Sequence, residues 1–442
     1  MRTIDLRGRS LSAAELLAAV PRATAARAAA LQAAAEIVED VRTRGEESLR
    51  EQAERFDGVT GHAVRVPAEH IADAVAGLDH DVHAALEESI RRVREASAAQ
   101  IPPTRVTELA AGARVTQRWQ PVGRVGVYVP GGKAVYPSSV VMNVVPAQVA
   151  GVRRIALASP PQAGFDGRVH PTILAAAGLL GVTEVYAMGG AGAIGALAHG
   201  VASLGLDPVD VVTGPGNNFV AAAKRAVAGV VGVDSEAGAT EILIVADDTA
   251  DPRLIAYDLV SQAEHDEQAS AVLVTASDEL ARAVDAAVAQ VAAATRHRER
   301  VAAALAGEQS AIVLVDDAAA AEAFSNAYAP EHLELHLADA ADAAARYTSA
   351  GALFVGPYAP VSLGDYLAGS NHVLPTGGQA RYAAGLGAQT FLRAQQVIEH
   401  DRDALAEVRD RIVALAESEA LPGHGDAVVA RFASGNVAGS AA

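Results

Sequence analysis

Along most of this chain, short apolar runs alternate with longer stretches whose apolar positions recur every three or four residues. The first pattern predicts buried strands and the second amphipathic helices. Gly126-Val-Tyr-Val-Pro-Gly-Gly132 reads as a strand entering a glycine-rich turn. A helical run from Ser138 to Gly151 follows, then a strand Arg154 to Ser159, a helix near Pro171 to Gly181 and a strand Glu184 to Met188. Another glycine-rich turn and helix lead to the strand Asp210 to Thr213, which enters Gly214-Pro-Gly-Asn217 and a helix to about Gly229. A second alternation begins at Glu241 to Ala246, with further strands at Ala271 to Thr275, Ala311 to Val315, His332 to Leu337 and Ala352 to Val355. Strands separated by helices of this length imply βαβ units and parallel sheets. Two α/β units of similar style suggest related Rossmann-like halves. Ahead of them, Ala23 to Gln100 has helical periodicity, ended by Ile101-Pro-Pro103. Behind them a charged helix, Ala404 to Glu419, passes through Leu421-Pro-Gly-His-Gly425 into a last helix.

Composition narrows the function classes. With 442 residues, 51% hydrophobic and 20% charged, the chain is a soluble globular protein with room for two or more domains. A formal charge of −18 argues against nucleic acid or an anionic membrane surface as partner. There is no cysteine, which removes disulfides, thiolate metal sites and cysteine nucleophiles together and fits a cytoplasmic protein. The N-terminus has no signal-peptide hydrophobic region. Val185 to Leu206 is nearly free of charge, but its many glycines and missing basic flanks make it a poor membrane span.

Four places hold candidate chemistry. Asp251 is a good N-cap and Pro252 suits the first helical position, so the run after them reads as a helix. On it Gln262 and His265 stand three apart and project from one face, an amide oxygen and an imidazole aimed at one point. Such a pair is more often simply solvated. In Pro330-Glu331-His332-Leu-Glu334-Leu-His336, alternate residues share a face. Glu334 and His336 read as the polar outer face of a half-buried strand. Glu331 and His332, at the strand start, can act as a base for water and a base for an alcohol. Asp365 reads as a cap or turn residue near a helix start, and His424 as a turn residue between two glycines. Together Gln262, His265, Asp365 and His424 would make an N2O2 set suited to Zn2+ or a neighbouring divalent metal. Gly190-Ala-Gly192-Ala-Ile-Gly195 matches the dinucleotide fingerprint G-x-G-x-x-G, although a tight turn with close helix packing explains it equally. With Tyr128-Val-Pro-Gly-Gly132 and Gly214-Pro-Gly-Asn217 it gives three glycine-rich turns at the carboxyl edge of one sheet, where helix N-termini favour anionic phosphates.

Tyr128-Val-Pro-Gly-Gly, Gly214-Pro-Gly-Asn-Asn-Phe-Val, Gln262-Ala-Glu-His-Asp, Pro330-Glu-His-Leu-Glu, Gly364-Asp-Tyr and Glu419 followed by His424 occur here in one order. In this the chain resembles the L-histidinol dehydrogenases of histidine biosynthesis over nearly its whole length. The resemblance implies a homodimer with shared active sites, one zinc per site, NAD as oxidant and L-histidinol as substrate. It makes Gln262, His265, Asp365 and His424 the zinc ligands, with His424 contributed in trans, and Glu331 and His332 the acid–base pair. Thr240, Glu419, His332 and the four ligand residues match substrate-holding positions. Tyr128 and Asn217 match NAD-contacting ones. Thr240 stands where many members have Ser, keeping the hydroxyl, and Gly192 stands where many have a Gln that touches NAD. The family does not use G-x-G-x-x-G in the usual dinucleotide manner.

The expected architecture is two incomplete Rossmann-like α/β domains with an N-terminal arm and a helical C-terminal tail. The arm covers 1–22. A larger domain, 23–121 with 235–380, would carry most of the metal and catalytic site. The NAD-contacting domain covers 122–234, and 381–442 would be the dimerisation tail. Oxidising an alcohol to a carboxylate removes two hydrides in turn, with hydration between them. Without a cysteine to form an adduct, Glu331 is the natural activator of water. A zinc hydrolase on an α/β scaffold and a non-catalytic small-molecule binding module are the alternatives.

Overall fold

A computed structural model describes residues 1–22, 27–131, 135–235 and 238–432. Ala23, the Gly132 end of the first glycine-rich turn, residues 236–237 and residues 433–442 of the expected tail lie outside the described residues. The chain divides into two compact units, Met1–Ile101 with Val122–Phe391 and Pro102–Pro121 with Leu392–Ala442.

The first unit opens with β1 (Arg2–Asp5), α1 (Ala13–Ala19), α2 (Arg27–Arg44), α3 (Glu46–Gln52), α4 (Ala68–Ala76) and α5 (His80–Ala98). The chain then leaves for the second unit through β2 (Arg105–Ala110) and β3 (Ala113–Pro121). It returns as β4 (Arg124–Tyr128), α6 (Pro137–Val149), β5 (Arg154–Ser159), α7 (Pro171–Leu179), β6 (Val185–Ala187), α8 (Gly190–His199), β7 (Val211–Thr213), α9 (Asn218–Val227) and β8 (Gly232–Val233). These five strands form a parallel sheet in the order β6-β5-β4-β7-β8. The second alternation is β9 (Glu241–Ala246), α10 (Pro252–Ala263), β10 (Ser270–Thr275), α11 (Asp278–Ala294), α12 (Arg298–Ala306), β11 (Ala311–Leu314), α13 (Ala318–Tyr328), β12 (His332–His336), α14 (Ala340–Ala343), β13 (Ala352–Val355) and α15 (Val361–Tyr366). Its sheet, also parallel, runs β1-β11-β10-β9-β12-β13. Counted within each alternation, both sheets are ordered third-second-first-fourth-fifth, so the two halves share one winding. Their central strands are buried on both faces, which is why they read as unbroken apolar runs.

Three groupings differ from expectation. Residues 1–22 are not an appendage: β1 pairs with Ala311–Leu314 as the edge strand, and Leu6 and Val20 are buried in the core beneath. The helices over 27–98 pack on the 122–234 half, α2 against α8 and α9, α4 against α7 and α5 against α6. The stripe Ala30, Ala34, Val38 and Val41 is narrow enough for close approach, and a Cβ at Gly195 would stand 3.1 Å from Val38 Cα. Residues 105–121 form a hairpin in the second unit, pairing antiparallel with β14 (Leu392–His400). α16 (Arg402–Ser418), capped by Asp401, then packs on α17 (Pro422–Val429). The three-stranded sheet is mostly exposed, with Val106, Leu109 and Ile398 open to solvent, as is Leu415 on α16. Among the described residues, no helix is long and apolar enough to cross a membrane.

Candidate active site

Adjacent parallel strands β9 and β12 start side by side, with His332 in register with Ile242. Thr240 and Glu331 therefore meet at the amino edge of the sheet. Glu331 Oε2 accepts hydrogen bonds from the Thr240 hydroxyl (2.5 Å) and the Glu241 backbone N–H (2.9 Å). Burial pushes the Glu331 carboxyl above the usual carboxylate range, while the neighbouring His332 and the Thr240 bond pull the other way. His332 is buried, with Nδ1 3.0 Å from the Glu241 carbonyl and 3.5 Å from Glu331 Oε2. A carbonyl only accepts, so Nδ1 carries the proton and Nε2 is left as the basic nitrogen.

α10 begins as its sequence requires, with Asp251 accepting the Arg253 N–H and Pro252 in the first turn. It ends at Ala263 with Glu264 as C-cap, so His265 lies just beyond the helix and not on its face beside Gln262. The polar run from Glu264 to Gln268 offers no apolar position to continue the buried stripe. His265 is still tethered to that end: its N–H donates to the Gln262 carbonyl (3.2 Å) and Nδ1 is 3.3 Å from the Ser261 carbonyl, leaving Nε2 outward. Gln262 is 2% exposed and donates through Nε2 to the Thr240 hydroxyl at 2.6 Å. Its Oε1 is buried with no hydrogen-bond partner. An amide oxygen left unpaired in the interior costs roughly 1–3 kcal/mol, which a ligand can offset.

Asp365 falls in the last turn of α15, not at a helix start, so the capping reading is corrected. A Cβ at Gly364 would stand 2.7 Å from the Phe354 ring, and the glycine lets α15 lie on β13. A residue the sequence reading missed stands beside it. His372 is held by the Asp365 carbonyl at Nδ1 (3.0 Å) and the Ser139 hydroxyl at Nε2 (3.1 Å). Burial lowers its basicity, Asp365 opposes that, and the charges of His332 and His265 are close enough to add to the lowering. The Asp365 carboxylate itself is 3.9 Å from His372 Nδ1. In sequence His372 is only a polar residue in a loop, and its neighbours come from elsewhere in the chain.

Glu334 and His336 are corrected as well. β12 is buried throughout, since α10 covers the face that was expected to be open, and Asp258 of α10 joins these two residues in a cluster.

At the carboxyl edge of the other sheet, Tyr128 ends β4. Its ring is buried, its hydroxyl accepts the Gly190 N–H at 3.2 Å, and burial pushes it up to about 12. Gly214 follows β7 with φ 117°, and a Cβ there would stand 1.9 Å from the Tyr128 carbonyl oxygen, so only glycine fits. Asp234 accepts the Gly214 N–H (2.8 Å) and pairs with the fully buried Lys224 (2.5 Å), which also donates to the Gly214 carbonyl. Asn217 caps α9, its Oδ1 accepting from Phe219 and Val220 N–H. Of the G-x-G-x-x-G match, Gly190 opens α8, Gly192 leaves room for Gln52, whose Oε1 would be 2.0 Å from an added Cβ, and Gly195 admits α2. The packing explanation accounts for the last two.

His424 and Glu419 belong to the second unit and are exposed. His424 stands in the first turn of α17 and not before it, because Pro422 starts that helix, and Glu419 is the C-cap of α16. In the first unit the amino-edge residues combine a buried carboxyl, an imidazole with a free nitrogen and an unpaired amide oxygen. That set can move protons and bind a cation.

A family model described as "Histidinol dehydrogenase" matches residues 20–432. The histidinol dehydrogenase of Leifsonia xyli subsp. xyli is 65% identical over 98% of this chain and 99% of its own. That of Thermobifida fusca is 58% identical over 97% of each. The crystal structure of histidinol dehydrogenase from Elizabethkingia anophelis superposes with a TM-score of 0.91 at 30% identity, covering 98% of both chains. With the fold and nearly the whole sequence matched, this chain belongs to the histidinol dehydrogenase family.

Proposed function

We propose that this protein is a cytoplasmic homodimer that oxidises L-histidinol to L-histidine through L-histidinaldehyde, using two NAD+ and one zinc ion per active site. The observation that carries the reading is the buried, unpartnered Oε1 of Gln262, set beside the Thr240–Glu331–His332 network. Gln262 Oε1, His265 Nε2 and the Asp365 carboxylate would hold the zinc, with His424 of a second copy as fourth ligand. An amide, two imidazoles and one carboxylate are a donor set that zinc accepts. Bound there, zinc supplies a Lewis acid and an anchor for the substrate's amine and imidazole, and NAD+ supplies the hydride acceptor. Thr240, Glu419 and His332 would line the substrate, and Tyr128 and Asn217 the cofactor. The tail 381–442 would carry the dimer contact. Exposed apolar side chains in the second unit, Val106, Leu109, Ile398 and Leu415, favour surfaces that another copy covers.

His332 takes the hydroxyl proton at Nε2 as the first hydride leaves, giving the aldehyde. Glu331 then takes a proton from water as its oxygen adds to the aldehyde carbon, and His332 returns its proton to the former carbonyl oxygen, which gives the gem-diol and leaves Nε2 free again. Both hydrogen bonds to the carboxylate fall on Oε2, so Oε1 serves the water. The gem-diol loses one hydroxyl proton to His332 as the second hydride leaves, and the carboxylic acid so formed ionises in water to the carboxylate. With no cysteine in the chain, hydration is the route that remains between the two oxidations.

The test is NADH formed per L-histidinol consumed, in zinc-replete and in chelator-stripped protein. Two NADH per substrate, lost on stripping and restored by zinc, is the expected result. No NADH from folded, replete protein would overturn the reading.

A further inference from the structure

Beneath the amino-edge site, between α10, β12 and α15, lies a second polar cluster that the proposed chemistry does not use. Glu334 and His336 stand two apart on one face of β12, the face that also carries His332, and both are almost fully buried. His336 Nε2 is 3.2 Å from Glu334 Oε2 and 4.0 Å from Asp258 Oδ2. Asp258 is one helical turn before Gln262 on α10. The other oxygen of Glu334, Oε1, accepts the N–H of Val361, the first residue of α15, at 2.9 Å. Burial, and then the adjacent Glu334, raise Asp258 well above the ordinary carboxylate range. The ligand atoms of the three residues lie within 4.8 Å of one another, as a cation site would have them. None of the three carries a buried polar atom without a partner, however, so the cluster is closed on itself.

Its arms reach the three elements that carry the candidate site. Asp258 is on the helix of Gln262, Glu334 and His336 are on the strand of His332, and Val361 starts the helix of Asp365. We propose that Glu334, held by His336 and Asp258, is a positioning residue that sets α10 and α15 against β12, and so fixes Gln262, His265 and Asp365 relative to His332. A buried carboxylate suits the task because it can accept from strand, helix and backbone partners at once, adding direction to the apolar packing that α10 and α15 already share. The catalytic part of the inference rests on the proposed function, but the structural part does not.

Three variants test it: Glu334→Leu, which removes both acceptors, Glu334→Gln, which keeps the one facing Val361, and His336→Leu as a second route should Glu334→Leu not fold. Two readouts are needed. The first is amide hydrogen exchange over residues 361–366 in protein free of zinc and substrate. Glu334→Leu should speed exchange there by at least about tenfold, with Glu334→Gln close to the parent. This readout holds even if the protein proves to have another activity. The second is zinc affinity, by titration of the stripped protein, with the split between kcat and KM. A misplacement on the order of 1 Å costs about a hundredfold in rate, so kcat should fall by roughly ten- to a hundredfold, zinc should bind at least about tenfold more weakly, and KM should move less than kcat. Folded Glu334→Leu or His336→Leu protein with parental exchange at 361–366 would overturn the proposal. Altered exchange with parental zinc affinity and kcat would overturn its catalytic part alone.

Discussion

In the 122–234 half, the strand order reverses between β4 and β7, and at their carboxyl ends Tyr128 and the Gly214–Asn217 turn stand beside the start of α9. In the 241–355 half the equivalent reversal lies between β9 and β12, and Asp247 bridges the carboxyl ends there. Asp247 donates its N–H to the His336 carbonyl (3.2 Å) and accepts the Ala338 N–H (2.8 Å). The candidate catalytic residues of this half, Glu331 and His332, sit at the opposite, amino edge. Helices return antiparallel to the strands they follow, so one edge of such a sheet gathers helix N-termini and the other gathers helix C-termini. N-termini carry partial positive charge and suit phosphates, while C-termini carry partial negative charge and suit cations. The end of α10, with Gln262 and His265, is such a C-terminus. On the proposed function, one winding would offer an anion edge and a cation edge.

The largest effect expected from testing this division is at the amino edge. His332→Asn should lower kcat by about 10²- to 10⁴-fold, the usual worth of a general base, with NAD+ affinity and zinc content near parental. A comparable loss of NAD+ affinity by calorimetry would mean that the edges are not separate. Next is the carboxyl edge. Gly214→Ala forces a Cβ into the Tyr128 carbonyl at a positive φ, and should weaken NAD+ binding at least about tenfold while zinc binding of the stripped protein is unchanged. The smallest effects come from Thr240, which bonds both Glu331 and Gln262. Thr240→Val removes a hydrogen bond that lowers the Glu331 pKa, so the acid limb of aldehyde oxidation should move to higher pH. With roughly 1–3 kcal/mol lost at buried polar partners, activity should fall about five- to a hundredfold. Thr240→Ser keeps the hydroxyl and should stay within about twofold. A pH–rate profile unmoved by Thr240→Val would remove Glu331 from the titrating step.

The strands of both halves were legible because their apolar runs are bounded by clear turn residues. Glu241–Ala246 and Ala352–Val355 fall where the pattern put them. Asp251 and Pro252 give the start of α10 by their own chemistry, whereas the polar run Glu264 to Gln268 that ends it can also be read as an exposed helical face, so the sequence alone carried the helix through His265. The hairpin over 105–121 was missed although its two strands adjoin in sequence and Arg114-Val-Thr-Gln-Arg-Trp119 is rich in β-formers: the strands are largely exposed and show no buried apolar run, and the β14 partner that completes the sheet lies far away in sequence. The same limit hid His372 and the burial of Glu334 and His336. Which side chains become neighbours across elements is a property of packing, and a periodicity reports only that one face is polar.

The excursion of residues 102–121 out of the first unit also has a bearing on synthesis. β3 is the middle strand of its sheet, and Arg118 must wait for Gln395, 277 residues later, before its second edge is covered. At about 5–20 residues per second, a ribosome takes on the order of tens of seconds to supply that partner. Throughout that interval the nascent chain displays an unpaired strand edge that a neighbouring copy could join. Arg114, Gln117, Arg118 and Gln120 make that waiting edge polar, the kind of side chain that discourages edge-to-edge pairing before the partner strand arrives.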